Sequence, residues 1–131
     1  MAPGGPAVKA ERISDTRTRT MRPIDLVHLA KQCLGDEGLE LEVLRLFDTT
    51  IGNYYDRLKL AASFDDLALA LHSIKGAAAG VGAWAIADLA KAMETEISNG
   101  RPLTQERIDD LGLLVEDVRN FIARMVANGE V

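Results

Sequence analysis

The sequence is poor in the residues that mark several common ways of building a protein. It holds one cysteine, Cys33, so no internal disulfide can form, and with two histidines it offers no Cys/His cluster for structural zinc. Aromatic residues make up only 5%, and strand-formers never alternate over a useful length, which argues against a sheet-based core. No apolar run approaches the roughly 20 residues of a membrane span, and the N-terminus lacks the apolar centre of a secretory signal. A cytoplasmic location without membrane contact is therefore expected. Glu-x-x-His pairs for a di-metal bundle site are absent, as is a Gly-rich phosphate loop for ATP. No metal site and no cofactor of its own are expected.

What remains is 131 residues, 47% hydrophobic and 27% charged, the balance of one soluble domain with a single core. Charge is unevenly spread. Residues 1–22 carry five basic side chains (Lys9, Arg12, Arg17, Arg19, Arg22) against Glu11 and Asp15, a net of +3. The other residues hold ten basic and eighteen acidic side chains, a net of −8. An acidic body binds polyanions poorly, so nucleic acid recedes as a partner.

Residues 1–22, rich in Pro, Gly and Thr, read as a flexible leader, and 23–131 as the folded domain. Pro23 suits a first helical turn, which predicts a short amphipathic helix from Ile24 to Leu34 that stops at Gly35. A longer helix follows from near Asp36, with apolar positions Val43, Leu44, Phe47, Ile51, Tyr54, Leu58 and Ala61 and a weakness at Gly52. Ser63 caps a third helix with Asp65 and Asp66 in its first turn, running to about Ala79 before Gly80 and Gly82. A fourth spans Ala83 to the Asn99-Gly100 break. Thr104 opens a fifth, whose seam is Ile108, Leu111, Val115, Val118, Ile122 and Met125. Four such helices joined by short turns specify an all-α, antiparallel up-down four-helix bundle, with the short first helix lying across one end as a lid.

The third helix has its core seam at Leu67, Leu71, Ile74, Ala78 and Val81. At about 100° per residue, His72 lies roughly 140° from the middle of that seam and should face water. Beside it stand Asp65, Ala68, Leu69, Gly76 and Ala79, with Lys75 in reach. Outward helix faces usually carry long polar side chains, and Gly76 costs about 1 kcal/mol relative to Ala. A macromolecule lying against this face gives that cost a purpose. Imidazole is nucleophilic near neutral pH, and an adjacent ammonium stabilises an added phosphoryl group.

The stretch His72-Ser73-Ile74-Lys75-Gly76-Ala77-Ala78-Ala79-Gly80-Val81-Gly82-Ala83 closely resembles the active helix of histidine-containing phosphotransfer (HPt) domains of two-component phosphorelays. Their pattern is His-x-x-Lys-Gly-Ser/Ala, then small residues, then a Gly-Ala opening the next helix. The resemblance spans most of residues 36–127. It implies that His72 is phosphorylated on a ring nitrogen, that Lys75 steadies the phosphoryl group, and that Ala68, Leu69, Gly76 and Ala79 admit a receiver domain. It further implies response-regulator receiver domains and a hybrid or other histidine kinase as partners, with Mg²⁺ brought by the receiver. The chain departs from the family in having Ala77 where many members have Ser, and Gly80 where a polar residue is common.

A monomeric phosphocarrier without kinase activity is the leading expectation, and a four-helix adaptor that binds a receiver or partner helix without chemistry is the alternative. The dimerisation module of a sensor kinase fits less well, because such modules follow the histidine with an acidic residue and soon a proline. His28, in the lid helix, reads as structural. Cys33 reads as a buried apolar residue, and Trp84 and Tyr54 as core or boundary packing. Asp109, Asp110, Glu116 and Asp117 read as solvated surface, and Leu69 with an exposed edge of Leu71 as the apolar centre of the receiver contact.

Overall fold

Short polar side chains close the first turn of most helices in this chain, each accepting a backbone N–H that has no partner within the helix. The structure, a computed structural model, describes residues 22–129. Asp25 caps α1 (Leu26–Gln32) through the His28 N–H, and Asp36 caps α2 (Glu37–Leu60) through that of Leu39. Ser63 caps α3 (Phe64–Val81), and Thr104 caps α5 (Gln105–Asn128). The helix between them, α4 (Trp84–Ser98), has no side-chain cap. It starts instead from the fully buried Ala83, whose N–H donates to the Ala78 carbonyl at 2.8 Å. The reading of residues 1–22 as a leader lies outside the described residues, Arg22 excepted.

Helices α2 to α5 pack in a closed ring, each against the next in the chain and α5 back against α2. Between α2 and α5 the Tyr55 hydroxyl donates to the Ile108 carbonyl, and Arg119 meets Asp48 at 2.9 Å. The later α2 residue pairs with the earlier α5 residue, so the two helices run antiparallel. Leu44, Ile51 and Leu58 of α2, Leu71, Ile74 and Ala78 of α3, Ile86, Ala90 and Met93 of α4, and Leu111 with Ile122 of α5 fill the centre. Each large aliphatic side chain so buried contributes about 1.5–3 kcal/mol. This is the expected four-helix bundle, with α1 packed across the α2 and α3 ends.

Several boundaries differ from the sequence reading, each for a local reason. Helix α1 starts at Leu26 rather than near Ile24, because Asp25 is extended (φ −78°, ψ 98°) to cap it and Pro23 is left ahead of the cap. It ends at Gln32, where Leu34 and Gly35 both take positive φ. Helix α3 runs past Gly80 to Val81. Only Gly82 breaks it, at φ +83°, where a Cβ would sit 3.0–3.3 Å from atoms of Asp25. Gly52 is less a weakness than a clearance, since a Cβ there would meet the Arg119 guanidinium at 2.6 Å. Glu40, in the first turn of α2, is buried.

Asp25 ties α1 to the α3–α4 turn. Its N–H donates to the Gly82 carbonyl, and its carboxylate accepts from the Trp84 indole N–H at 3.0 Å, while His28 packs edge-on to the Trp84 ring. The indole bond first, and the His28 backbone N–H second, hold the Asp25 carboxyl below its ordinary range. A carboxyl that ionises more readily in the folded chain adds stability above its unfolded pKa and loses it as the pH falls through the folded value. Acidification below about pH 4 should therefore loosen α1 before the bundle melts, reported by a red shift in emission from Trp84, the only tryptophan. Asp25→Ala should give the same red shift at neutral pH and cost about 1–2 kcal/mol in denaturant melts.

Candidate functional site

With Ala70, Leu71, Ile74, Ala78 and Val81 turned inward, α3 shows solvent a ridge at the helical repeat: Asp65, Leu69, His72, Gly76, Gly80. His72 stands midway along it, its side chain 71% exposed. Lys75 lies on the flank with its side chain 34% exposed. Of the residues expected around the imidazole, Leu69 and Gly76 are on the ridge. Ala68 and Ala79 are half-buried and pack against the core. Gly80, not Ala79, continues the ridge, because the step from Gly76 is four residues rather than three. Leu71 has no exposed edge: it is fully buried, and the apolar surface beside His72 comes from elsewhere.

The ridge is low on the C-terminal side of His72. An ideal Cβ built on Gly76 or on Gly80 meets no atom within 4 Å. No internal neighbour demands a glycine at either position, so the bare backbone gives access from outside. On the N-terminal side, Leu69 and Ser73 border a groove of about 350 Å³ whose α2 wall is Tyr54, Arg57 and Leu60. Leu60, Phe64 and Leu69 are exposed apolar side chains at this end of the bundle.

One member of the site escaped the sequence reading. Glu94 of α4, its side chain 22% exposed, places Oε1 at 2.7 Å from Lys75 Nζ and Oε2 at 3.6 Å from His72 Nδ1. The second distance is too long for a hydrogen bond, yet close enough for the carboxylate's charge to act on the ring. A negative charge on the Nδ1 side favours the tautomer with the proton there, leaving the Nε2 lone pair free. A signal for Glu94 existed. Residues roughly equidistant from the Gly82–Ala83 turn lie at the same height on antiparallel helices, and counting forward from the turn as far as His72 lies behind it reaches Met93 and Glu94.

Chemically, the arrangement presents one nucleophilic nitrogen to solvent, one ammonium within a helical turn of it, and a carboxylate in contact with the ammonium. His28 offers nothing similar, being half-buried against Trp84 with Nε2 enclosed and unpartnered. Among the described residues no group of His, Cys, Asp and Glu could hold a metal ion, and no helix is long and apolar enough to cross a membrane.

No curated protein and no solved structure matches the chain. A family model does: that of the Hpt domain, over residues 42–121, a span that contains His72, Lys75, Gly76 and Glu94. Covering more than half of the chain, and falling on the bundle that carries this imidazole, the match establishes that the protein belongs to the Hpt domain family and has a phosphotransfer role in two-component signalling.

Proposed function

We propose that the protein is a phosphocarrier that takes a phosphoryl group from a receiver-domain aspartate onto His72 and passes it to an aspartate of another receiver. The observation that carries this reading is the exposed imidazole midway along α3, beside a ridge of bare backbone at Gly76 and Gly80. On loading, the Nε2 lone pair forms the N–P bond as the acyl O–P bond breaks, and the aspartate leaves as a carboxylate. Unloading reverses those bonds. Nδ1 keeps its proton throughout, so neutral imidazole is both nucleophile and leaving group.

In-line phosphoryl transfer needs positioning and charge neutralisation more than covalent help from the protein. Lys75 supplies a cation, and the receiver brings its acidic pocket and Mg²⁺. The receiver docks over Gly76 and Gly80, with the apolar cluster of Leu60, Phe64 and Leu69 as its centre of contact. We expect a monomer that exchanges partners quickly, since such interfaces are small.

The test is to incubate the protein with a receiver carrying labelled phosphate. Acid-labile, base-stable label on His72 supports a carrier, and a complex that forms without label transfer makes the protein an adaptor. Lys75→Ala should leave the melting temperature within about 2 °C, because a single ion pair still in contact with solvent contributes little. It should slow transfer on the order of tenfold in quenched-flow measurements by removing positive charge from the phosphoryl site.

A further inference from the structure

Lys75 is already engaged before any phosphoryl group arrives. Its Nζ lies 2.7 Å from Glu94 Oε1, so a phosphoryl group on His72 must compete with a carboxylate for this ammonium. The same carboxylate stands 3.6 Å from Nδ1, across the ring from the attacking nitrogen. Glu94 reaches α3 from a half-buried position on α4, beside the fully buried Met93. Competition for Lys75 raises the free energy of the loaded state relative to the empty one. A neutral side chain at position 94 would leave the ammonium free for the phosphoryl group.

From this geometry we infer that Glu94 limits how long the phosphoryl group stays on His72, by withholding Lys75 from it. The inference rests on the phosphocarrier reading. Glu94 is here a positioning residue: it touches neither phosphorus nor the attacking nitrogen, and acts through Lys75. Its consequence is a carrier poised to discharge rather than to store.

Phosphoramidate, a small P–N donor, tests this without any receiver. The Nε2 lone pair of His72 attacks phosphorus, the donor's P–N bond breaks, and its electrons leave with ammonia. Hydrolysis of the loaded protein then returns neutral imidazole and inorganic phosphate. In Glu94→Gln the phosphohistidine half-life should lengthen on the order of fivefold at fixed pH, and loading at equilibrium should rise by a similar factor. Glu94→Asp, which keeps the charge, should stay within about twofold of the parent protein. In a Lys75→Ala background the effect of Glu94→Gln should shrink to less than about twofold, because the contested cation is gone. A merely structural Glu94 would not lengthen the half-life, since the imidazole already faces water whether or not α4 loosens.

Loading of the parent protein with an unchanged or shortened half-life in Glu94→Gln overturns the inference and leaves the carrier reading standing. An undiminished effect in the Lys75→Ala background overturns the role given to Lys75 as intermediary. Failure of the parent protein to take label on His72, from phosphoramidate and from a phosphorylated receiver alike, removes the carrier reading and this inference with it.

Discussion

His72→Gln is expected to reduce phosphoryl uptake to background while leaving the protein folded. The side chain is 71% exposed and its nearest polar partner, Glu94, is 3.6 Å away, so its loss breaks no hydrogen bond. Stability should change by no more than about 0.5 kcal/mol in denaturant melts, the usual range for a surface substitution. Glutamine keeps polarity and helix propensity and has no lone pair able to carry phosphorus through the transfer. The second histidine cannot stand in, because the Nε2 of His28 is enclosed against the protein and its ring packs on Trp84. Label remaining on His72→Gln after incubation with a phosphorylated receiver would remove the assignment, wherever the phosphate then proved to be.

How far this site can be read from sequence depends on whether a feature is local to one helix. Four inward positions of α3 (Leu71, Ile74, Ala78 and Val81), its Ser63 cap and the outward direction of His72 follow from a period of 3.6 and from side-chain chemistry within a few residues, and the sequence reading placed them correctly, whereas it put Leu67, half-buried, where Ala70 is buried. Helix ends were read less well where two local signals compete. Pro23 and Asp25 can each open α1, and the carboxylate prevailed because it also reaches the Trp84 indole, a partner far along the chain. The same limit explains Gly52, whose clearance for Arg119 depends on packing between α2 and α5. Glu94 is the most consequential omission. Nothing on its own helix distinguishes it from other acidic residues, and it gains meaning only when the α3–α4 turn sets the height at which it meets His72 and Lys75. Exposure was overestimated for Leu71 and for Ala79, which lie one residue from ridge positions, because a single helical step decides between groove and core.

Gly76→Gln separates stability from recognition, and the two should move in opposite directions. A Cβ at this position meets nothing within 4 Å, and the helix is regular through it, so glutamine is accommodated without displacing a neighbour. Replacing glycine by a better helix former in an interior turn should then stabilise the domain by about 0.5 kcal/mol, a small but measurable rise in the denaturation midpoint. If the bare backbone is where a receiver lies, the same side chain stands in its path, one turn from the imidazole. Forcing a side chain into a close-packed contact costs about 1–3 kcal/mol, so transfer from a phosphorylated receiver should fall on the order of 30-fold. Loading by phosphoramidate, which needs no docking surface, should stay within about twofold of the parent protein, so a loss of imidazole reactivity can be told from a loss of access. Increased stability with receiver transfer unimpaired would mean that the partner approaches His72 from another side, and would leave the open backbone at Gly76 without a purpose.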